Sequence, residues 1–234
     1  MLCGVLAVSP ARARDGWAVR LRDERLFLGG VLGSLEGWLG VRSVRTLELR
    51  VARQSANAGK LVAWLDGAVR AGAAGGPDGG GGVVARVVKT VLHASLQPEA
   101  RDEGSWLRRQ MPDGYGPVFA VLLRTEEQAR RLPSKLALFH HATSLGGVES
   151  LIEWRAMTDK SVDRRLLRLS VGVEAWEDLR ADLEMAFAAL LDEGWGEGDG
   201  EEARLDDALG VGRGEDGENS IGERPERQTA PAQG

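Results

Sequence analysis

The run Gly72-Ala73-Ala74-Gly75-Gly76-Pro77-Asp78-Gly79-Gly80-Gly81-Gly82 limits what this chain can fold into more than any other stretch of it. It has no hydrophobic period and high backbone freedom, so it reads as a flexible surface insertion and not as part of a helix or strand. It falls between a long helix and the strand that comes next. No Gly-Lys-Ser/Thr comes after it to hold phosphate and metal, so it is not a phosphate loop.

Ahead of the glycines the patterns are largely helical. Met1 to Val8 reads as a short buried strand with Cys3 inside it, and Ala11 to Phe27 as an amphipathic helix carrying Trp17, Val19, Leu21 and Leu26. From Leu32 to Leu65, Val44, Leu47, Val51, Leu61 and Leu65 recur at three-to-four spacing, which predicts a long helix entered through a Gly37-to-Gly40 bend.

Behind the glycines the patterns become strands. Val83 to Leu92, Pro117 to Leu123, Lys135 to Phe139 and Leu166 to Val171 are apolar runs of strand length. Two helices interrupt them. Thr125-Glu126-Glu127-Gln128 is a capping-box start, and Glu174 to Leu191 places Leu179, Leu183, Ala186, Phe187 and Leu190 on one face. Strands and helices in this order predict an α+β layer.

After Leu191 the apolar supply fails. Residues 192–234 hold 13 acidic against 4 basic side chains and few hydrophobic ones, too few to offset the entropy of ordering them, so a disordered acidic tail is expected. The net charge of -5 thus conceals a mildly basic front.

Composition excludes several classes. One cysteine allows neither an internal disulfide nor a thiolate zinc cluster, and no apolar run reaches the roughly 18 residues of a membrane span. No basic region precedes the first apolar residues, so no signal peptide is read, and a cytoplasmic location is expected. The pairs Arg108-Arg109, Arg130-Arg131 and Arg164-Arg165 are scattered among acids, which suits solvated surface and not a nucleic-acid groove. His140 and His141 are adjacent, so their rings point to opposite faces and do not share a metal; no metal site is expected.

Two segments could carry chemistry. Ala142-Thr143-Ser144-Leu145-Gly146-Gly147-Val148-Glu149-Ser150-Leu151 ends an apolar strand with a hydroxyl pair and two glycines, a loop whose backbone can approach an anion closely. The plainer reading is a strand-to-helix turn capped by Ser144. Leu166-Leu167-Arg168-Leu169-Ser170-Val171-Gly172 puts one guanidinium inside an apolar strand, on the face opposite Leu167 and Leu169. A buried charge requires a partner. Arginine suits a planar carboxylate gripped by two parallel hydrogen bonds, and an internal Asp or Glu would serve as well as a ligand.

Together with Leu151-Ile152-Glu153 and Met157-Thr158, these segments resemble the signature end of the pyridoxal-phosphate-dependent Cys/Met-metabolism transsulfuration family, which includes cystathionine synthases and lyases and methionine γ-lyase. The resemblance extends to Leu32-Gly33 through Trp38-Leu39, to Arg45-Thr46-Leu47-Glu48-Leu49-Arg50 and to His93-Ala94-Ser95-Leu96. It implies an incomplete α/β fold of the fold-type I transferase kind. Residues 1–65 would be the end of a large cofactor domain with an interdomain helix, 66–82 a Gly-rich loop, 83–191 a small α+β substrate-carboxylate domain with a mainly antiparallel sheet, and 192–234 the tail.

The resemblance also implies a site. Arg168 would bind the α-carboxylate of an amino-acid substrate, with Ser144 and Leu145 beside it and Thr143 where members vary their substrate choice. Some members carry glutamate in place of Thr143, and threonine offers a hydroxyl without charge. The cofactor would be pyridoxal 5'-phosphate and the complete enzyme a homotetramer.

The family's aldimine lysine sits in a Ser-x-Thr-Lys segment absent here. Lys60, Lys89, Lys135 and Lys160 have no such segment before them and read as solvated charges, so negligible turnover is expected of this chain by itself. Two readings stay open: part of a β- or γ-eliminating or replacing enzyme of sulfur amino acids, or a non-catalytic binding or assembly module derived from that family. Either way, apolar faces on the Met1 strand and the helices up to Leu65 would lack cover, and poor solubility is expected.

Overall fold

The computed structural model describes residues 4–75 and 81–195. Its centre is a five-stranded sheet: β1 (Val88–Leu92), β2 (Val118–Leu123), β3 (His140–His141), β4 (Leu151–Trp154) and β5 (Leu166–Ser170). The spatial order is β1-β2-β5-β4-β3. All neighbours are antiparallel except β3 and β4, so the expected mainly antiparallel sheet is present.

Alternation in the strands decides what faces the helices. Phe119, Val121 and Leu123 of β2, Ile152 of β4 and Leu167 and Leu169 of β5 point to one side, and all are at most 2% exposed. Two helices cover them: α4 (Leu47–Ala73), through Ala58, Leu61, Val62 and Leu65, and α8 (Trp176–Asp192), through Leu179, Leu183, Ala186, Phe187 and Leu190. The expected face of α8 is thus the buried one. Between them lies α5 (Gly82–Val87), whose Val84 and Val87 complete the core.

The capping box also forms. Thr125 accepts from the Gln128 amide and donates its own amide to Gln128 Oε1, starting α7 (Glu126–Arg131). A short α6 (Trp106–Gln110) begins on a Ser105 cap.

Several expectations fail, each for a physical reason. Val83 to Leu92 is not one strand, because its first half is α5; a short, wholly apolar run fits a buried helix as well as a buried strand. Lys135 to Phe139 is not a strand either. Its amides at Ala137, Leu138 and Phe139 donate to the Asp182 carboxylate, at 2.8, 2.9 and 3.2 Å, and are unavailable to a ladder. β4 fills a place where no strand was expected.

The N-terminal arm departs furthest. Residues 4–9 form no strand, and Val5 and Leu6 are 92% and 78% exposed. A strand needs a ladder, and no described strand runs beside this segment. Instead of one helix from 11 to 27 there are two, α1 (Pro10–Arg14) and α2 (Trp17–Phe27), separated at Gly16 with φ +83°. The long helix breaks at Arg45 and Thr46, not at the Gly37-to-Gly40 bend, which lies inside α3 (Ser34–Val44). Val44, Leu47 and Val51 stay exposed, whereas Leu61 and Leu65 are buried, because the sheet lies only under the later turns of α4.

The readings of Cys3, of the tail beyond Trp195 and of Gly76 to Gly80 fall outside the described residues. Trp195 itself packs on the core, with the Arg131 guanidinium 4.4 Å from its ring and its carbonyl accepting from Gln128 Nε2 at 2.6 Å. No described helix is long and apolar enough to cross a membrane.

Candidate functional site

β5 and the bend that comes after β3 meet on the sheet face away from the helices. Arg168 stands there with its cross-strand neighbours Glu153 of β4 and Ala120 of β2. Its side chain is 17% exposed. Nη2 donates to the carbonyls of Thr143 at 2.7 Å and Ser144 at 2.9 Å, and lies 3.0 Å from Glu153 Oε2. Nε is buried and has no hydrogen-bond partner among the described residues.

Of the two readings of a guanidinium in an apolar strand, the internal acid is the one observed. An internal acid partners it, yet that acid is shared. Arg155 Nη1 lies 3.0 Å from each Glu153 oxygen, and the Thr158 hydroxyl donates to Oε1 at 2.9 Å. Arg168 is left with one nitrogen-to-oxygen contact in place of the two-point grip that its planar fork favours.

The bend is held from three sides. Ser170 Oγ accepts from the Gly146 amide at 2.9 Å, and Gly146 has φ +76°, a backbone state costly for residues with a side chain. The Val173 amide donates to the Val148 carbonyl at 2.9 Å. A Cβ on Gly172 would come within 2.2 Å of that same carbonyl oxygen, so only glycine lets the end of β5 approach the bend this closely. Ser150 Oγ accepts from the Gly172 amide and donates to Glu174, both at 2.9 Å.

From the helix side, Gln54 Nε2 donates to the Gly147 carbonyl, while Asn57 Nδ2 donates to the carbonyls of Gly172 at 3.2 Å and Glu174 at 2.8 Å. Helix α4 is thereby tied to the bend by polar groups as well as to the core by apolar ones.

Thr143 and Ser144 thus reach Arg168 through their carbonyls, and Leu145 is 57% exposed alongside. Glu153, Gln54 and Asn57 carry no role in the sequence reading, although a signal exists. Glu153 interrupts the apolar Leu151-Ile152-Glu153-Trp154 as Arg168 interrupts its own strand, and Gln54 and Asn57 lie three apart on the buried stripe of α4.

Other polar groups are accounted for elsewhere. Arg130 and Arg131 pair with Glu127, which they hold down at a pKa of about 2, and Arg164 pairs with Glu126. His93 stands edge-on to Phe119 and Tyr115 at 6.4 and 6.2 Å, against the sheet, and burial lowers its pKa. A hollow of about 650 Å³ lies in the N-terminal arm, lined by Val5, Leu6, Leu21 and Leu28.

Residues 1–188 match the family described as Cys/Met metabolism PLP-dependent enzyme. The chain belongs to that family. It is 32% identical over 171 residues to a cystathionine beta-lyase of Lactococcus lactis subsp. cremoris (strain MG1363), covering 68% of this chain and 40% of the relative. It is 36% identical over 180 residues to a cystathionine gamma-synthase of Mycobacterium tuberculosis (strain CDC 1551 / Oshkosh), covering 71% and 41%.

Among solved structures, a methionine gamma lyase from Micromonospora echinospora superposes with a TM-score of 0.57 at 31% identity, covering 74% of this chain and 42% of that one. The chain thus spans about two fifths of the length of these Cys/Met-metabolism relatives.

The family's cofactor is pyridoxal phosphate. Lys60 lies 5.1 Å from the Trp176 ring, Lys135 pairs with Glu193, Lys89 faces Asp163 and Lys160 is exposed. The described residues present a guanidinium beside a glycine-rich bend.

Proposed function

We propose that this chain supplies the substrate-carboxylate side of a pyridoxal-phosphate-dependent transsulfuration enzyme acting on a sulfur amino acid. One observation carries the reading: Arg168 keeps a buried Nε–H that has no partner among the described residues, on the guanidinium edge it shares with Nη2. An unpaired buried donor is costly, and a ligand carboxylate would satisfy it with a charge-assisted bond. The loop carbonyls and Glu153 hold Nη2, so the carboxylate arrives at an already oriented group.

In the assembled enzyme, pyridoxal phosphate supplies the electron sink for loss of the α-proton and of a β- or γ-substituent. Arg168 fixes the acid end of the amino acid, and the bend carrying Thr143, Ser144 and Leu145 lies alongside it. Cystathionine, an activated homoserine or a relative fits this chemistry, and Thr143 adds no charge against the substrate's distal end. The complete enzyme is read as a cytoplasmic homotetramer, in keeping with the family resemblance.

The exposed apolar residues of the arm, among them Leu28, Leu35 and Trp38, favour a second reading in which the chain acts as an assembly module. Co-elution with a full-length relative would support that reading.

The carboxylate grip is tested by nitrogen-15 NMR of the arginine Nε–H groups during titration with L-methionine. The Arg168 Nε–H signal, assigned by its loss in Arg168→Met, is expected to shift saturably. No shift of that signal, or the same binding in Arg168→Met, would refute the proposal.

A further inference from the structure

Glu153 has a 1% exposed side chain, and a carboxylate so buried must be tied down by donors to remain charged. Arg155 donates to both oxygens and Thr158 to Oε1, and Arg168 adds an ion-pair contact at Oε2. Arg155 and Thr158 belong to the turn just after β4, whereas Arg168 is the residue directly opposite Glu153 in the sheet register. The carboxylate is therefore anchored by its own strand's continuation and presents its remaining capacity across the sheet.

We infer that Glu153 is a positioning residue, which holds the Arg168 guanidinium so that Nε faces an incoming carboxylate. This rests on the reading of Arg168 as the carboxylate grip. Arginine's long side chain has many rotamers, and freezing them before the ligand arrives removes that cost from binding. Ala120, the neighbour on the other side of Arg168, has no polar side-chain group to do so. The Thr143 and Ser144 carbonyls accept hydrogen bonds from Nη2, and Glu153 adds an ion-pair contact to the same nitrogen. The Arg155 contacts keep Glu153 from turning both of its oxygens onto Arg168 and so from displacing the ligand.

The test compares L-methionine with L-methioninamide, which lacks the carboxylate charge, in NMR titrations of the full chain and of Glu153→Gln. The ratio of the two dissociation constants reads how well the guanidinium is aimed. Loss of folded protein weakens both ligands equally and leaves the ratio where it was.

Glu153→Gln is expected to lower the preference for methionine roughly tenfold, the size of one misaligned charge-assisted contact. An unchanged ratio overturns the inference. A wild-type chain with no preference for methionine refutes instead the carboxylate reading beneath it.

Should Glu153→Gln not fold, Arg155→Gln carries the same test. It releases the Glu153 carboxylate to compete at Arg168, and the ratio is again expected to fall; a ratio at the wild-type value again overturns the inference.

Discussion

Removing the Asp182 carboxylate should cost this fold a large share of its stability. Asp182 lies in α8 on the same face as Leu179, Leu183 and Ala186, and is 2% exposed. Its Oδ1 accepts from the Ala137 amide, and Oδ2 from those of Leu138 and Phe139. In Asp182→Ala all three amides lose a charge-assisted bond. Ala137 and Leu138 are exposed, so water can replace the carboxylate there at a loss of about 1 kcal/mol each, whereas the buried Phe139 amide loses about 1–3 kcal/mol.

The sum is roughly 3–5 kcal/mol, a third or more of the stability of many domains. In a domain of this size it corresponds to a fall in Tm of about 10 °C. Asp182→Asn keeps one acceptor oxygen and is expected to lose about half as much.

Urea unfolding followed by circular dichroism measures the loss, and amide exchange at Ala137 to Phe139 locates it. A loss below about 1 kcal/mol in Asp182→Ala would refute the reasoning. So would unchanged exchange at Phe139, because the segment leading into β3 would then be held by something other than this carboxylate.

Two further outcomes are expected. The arm's exposed Leu28, Val31, Leu35, Trp38 and Val41 should drive concentration-dependent self-association in sedimentation velocity, weakened by Leu35→Glu with Trp38→Glu; a monomer at every concentration would contradict this. His93 has its pKa lowered by burial, so the unfolded chain takes up the proton first and stability should decline as pH falls below the ordinary value of 6.5. Urea midpoints between neutral and mildly acidic pH measure the decline, which should be shallower in His93→Gln; an equal slope would remove His93 as its cause.

Where a residue's behaviour is set by near neighbours, the sequence already contained the answer. Thr125 and Gln128 cap α7 because three residues of separation bring each side chain to the other's amide. The α8 stripe is buried because the helical period alone aligns Leu179 with Leu183 and Leu190. Arg168 declared itself by being the one charge in its strand, and the bend by its paired glycines. A resemblance carried over these segments led to the family that residues 1–188 match.

Tertiary packing decided the rest, since burial depends on partners distant along the chain. Nothing local in Val83 to Val87 chooses helix over strand; the space between α4 and α8 does. Asp182 reads as a polar flaw in an apolar face until the amides of Ala137 to Phe139, more than forty residues away, are brought to it. The same holds for Glu153. Sequence could say that a guanidinium in an oily strand needs a counter-charge, but only the strand register put that carboxylate opposite Arg168 and left Nε without a partner among the described residues, because cross-strand pairing joins residues whose separation no local pattern encodes.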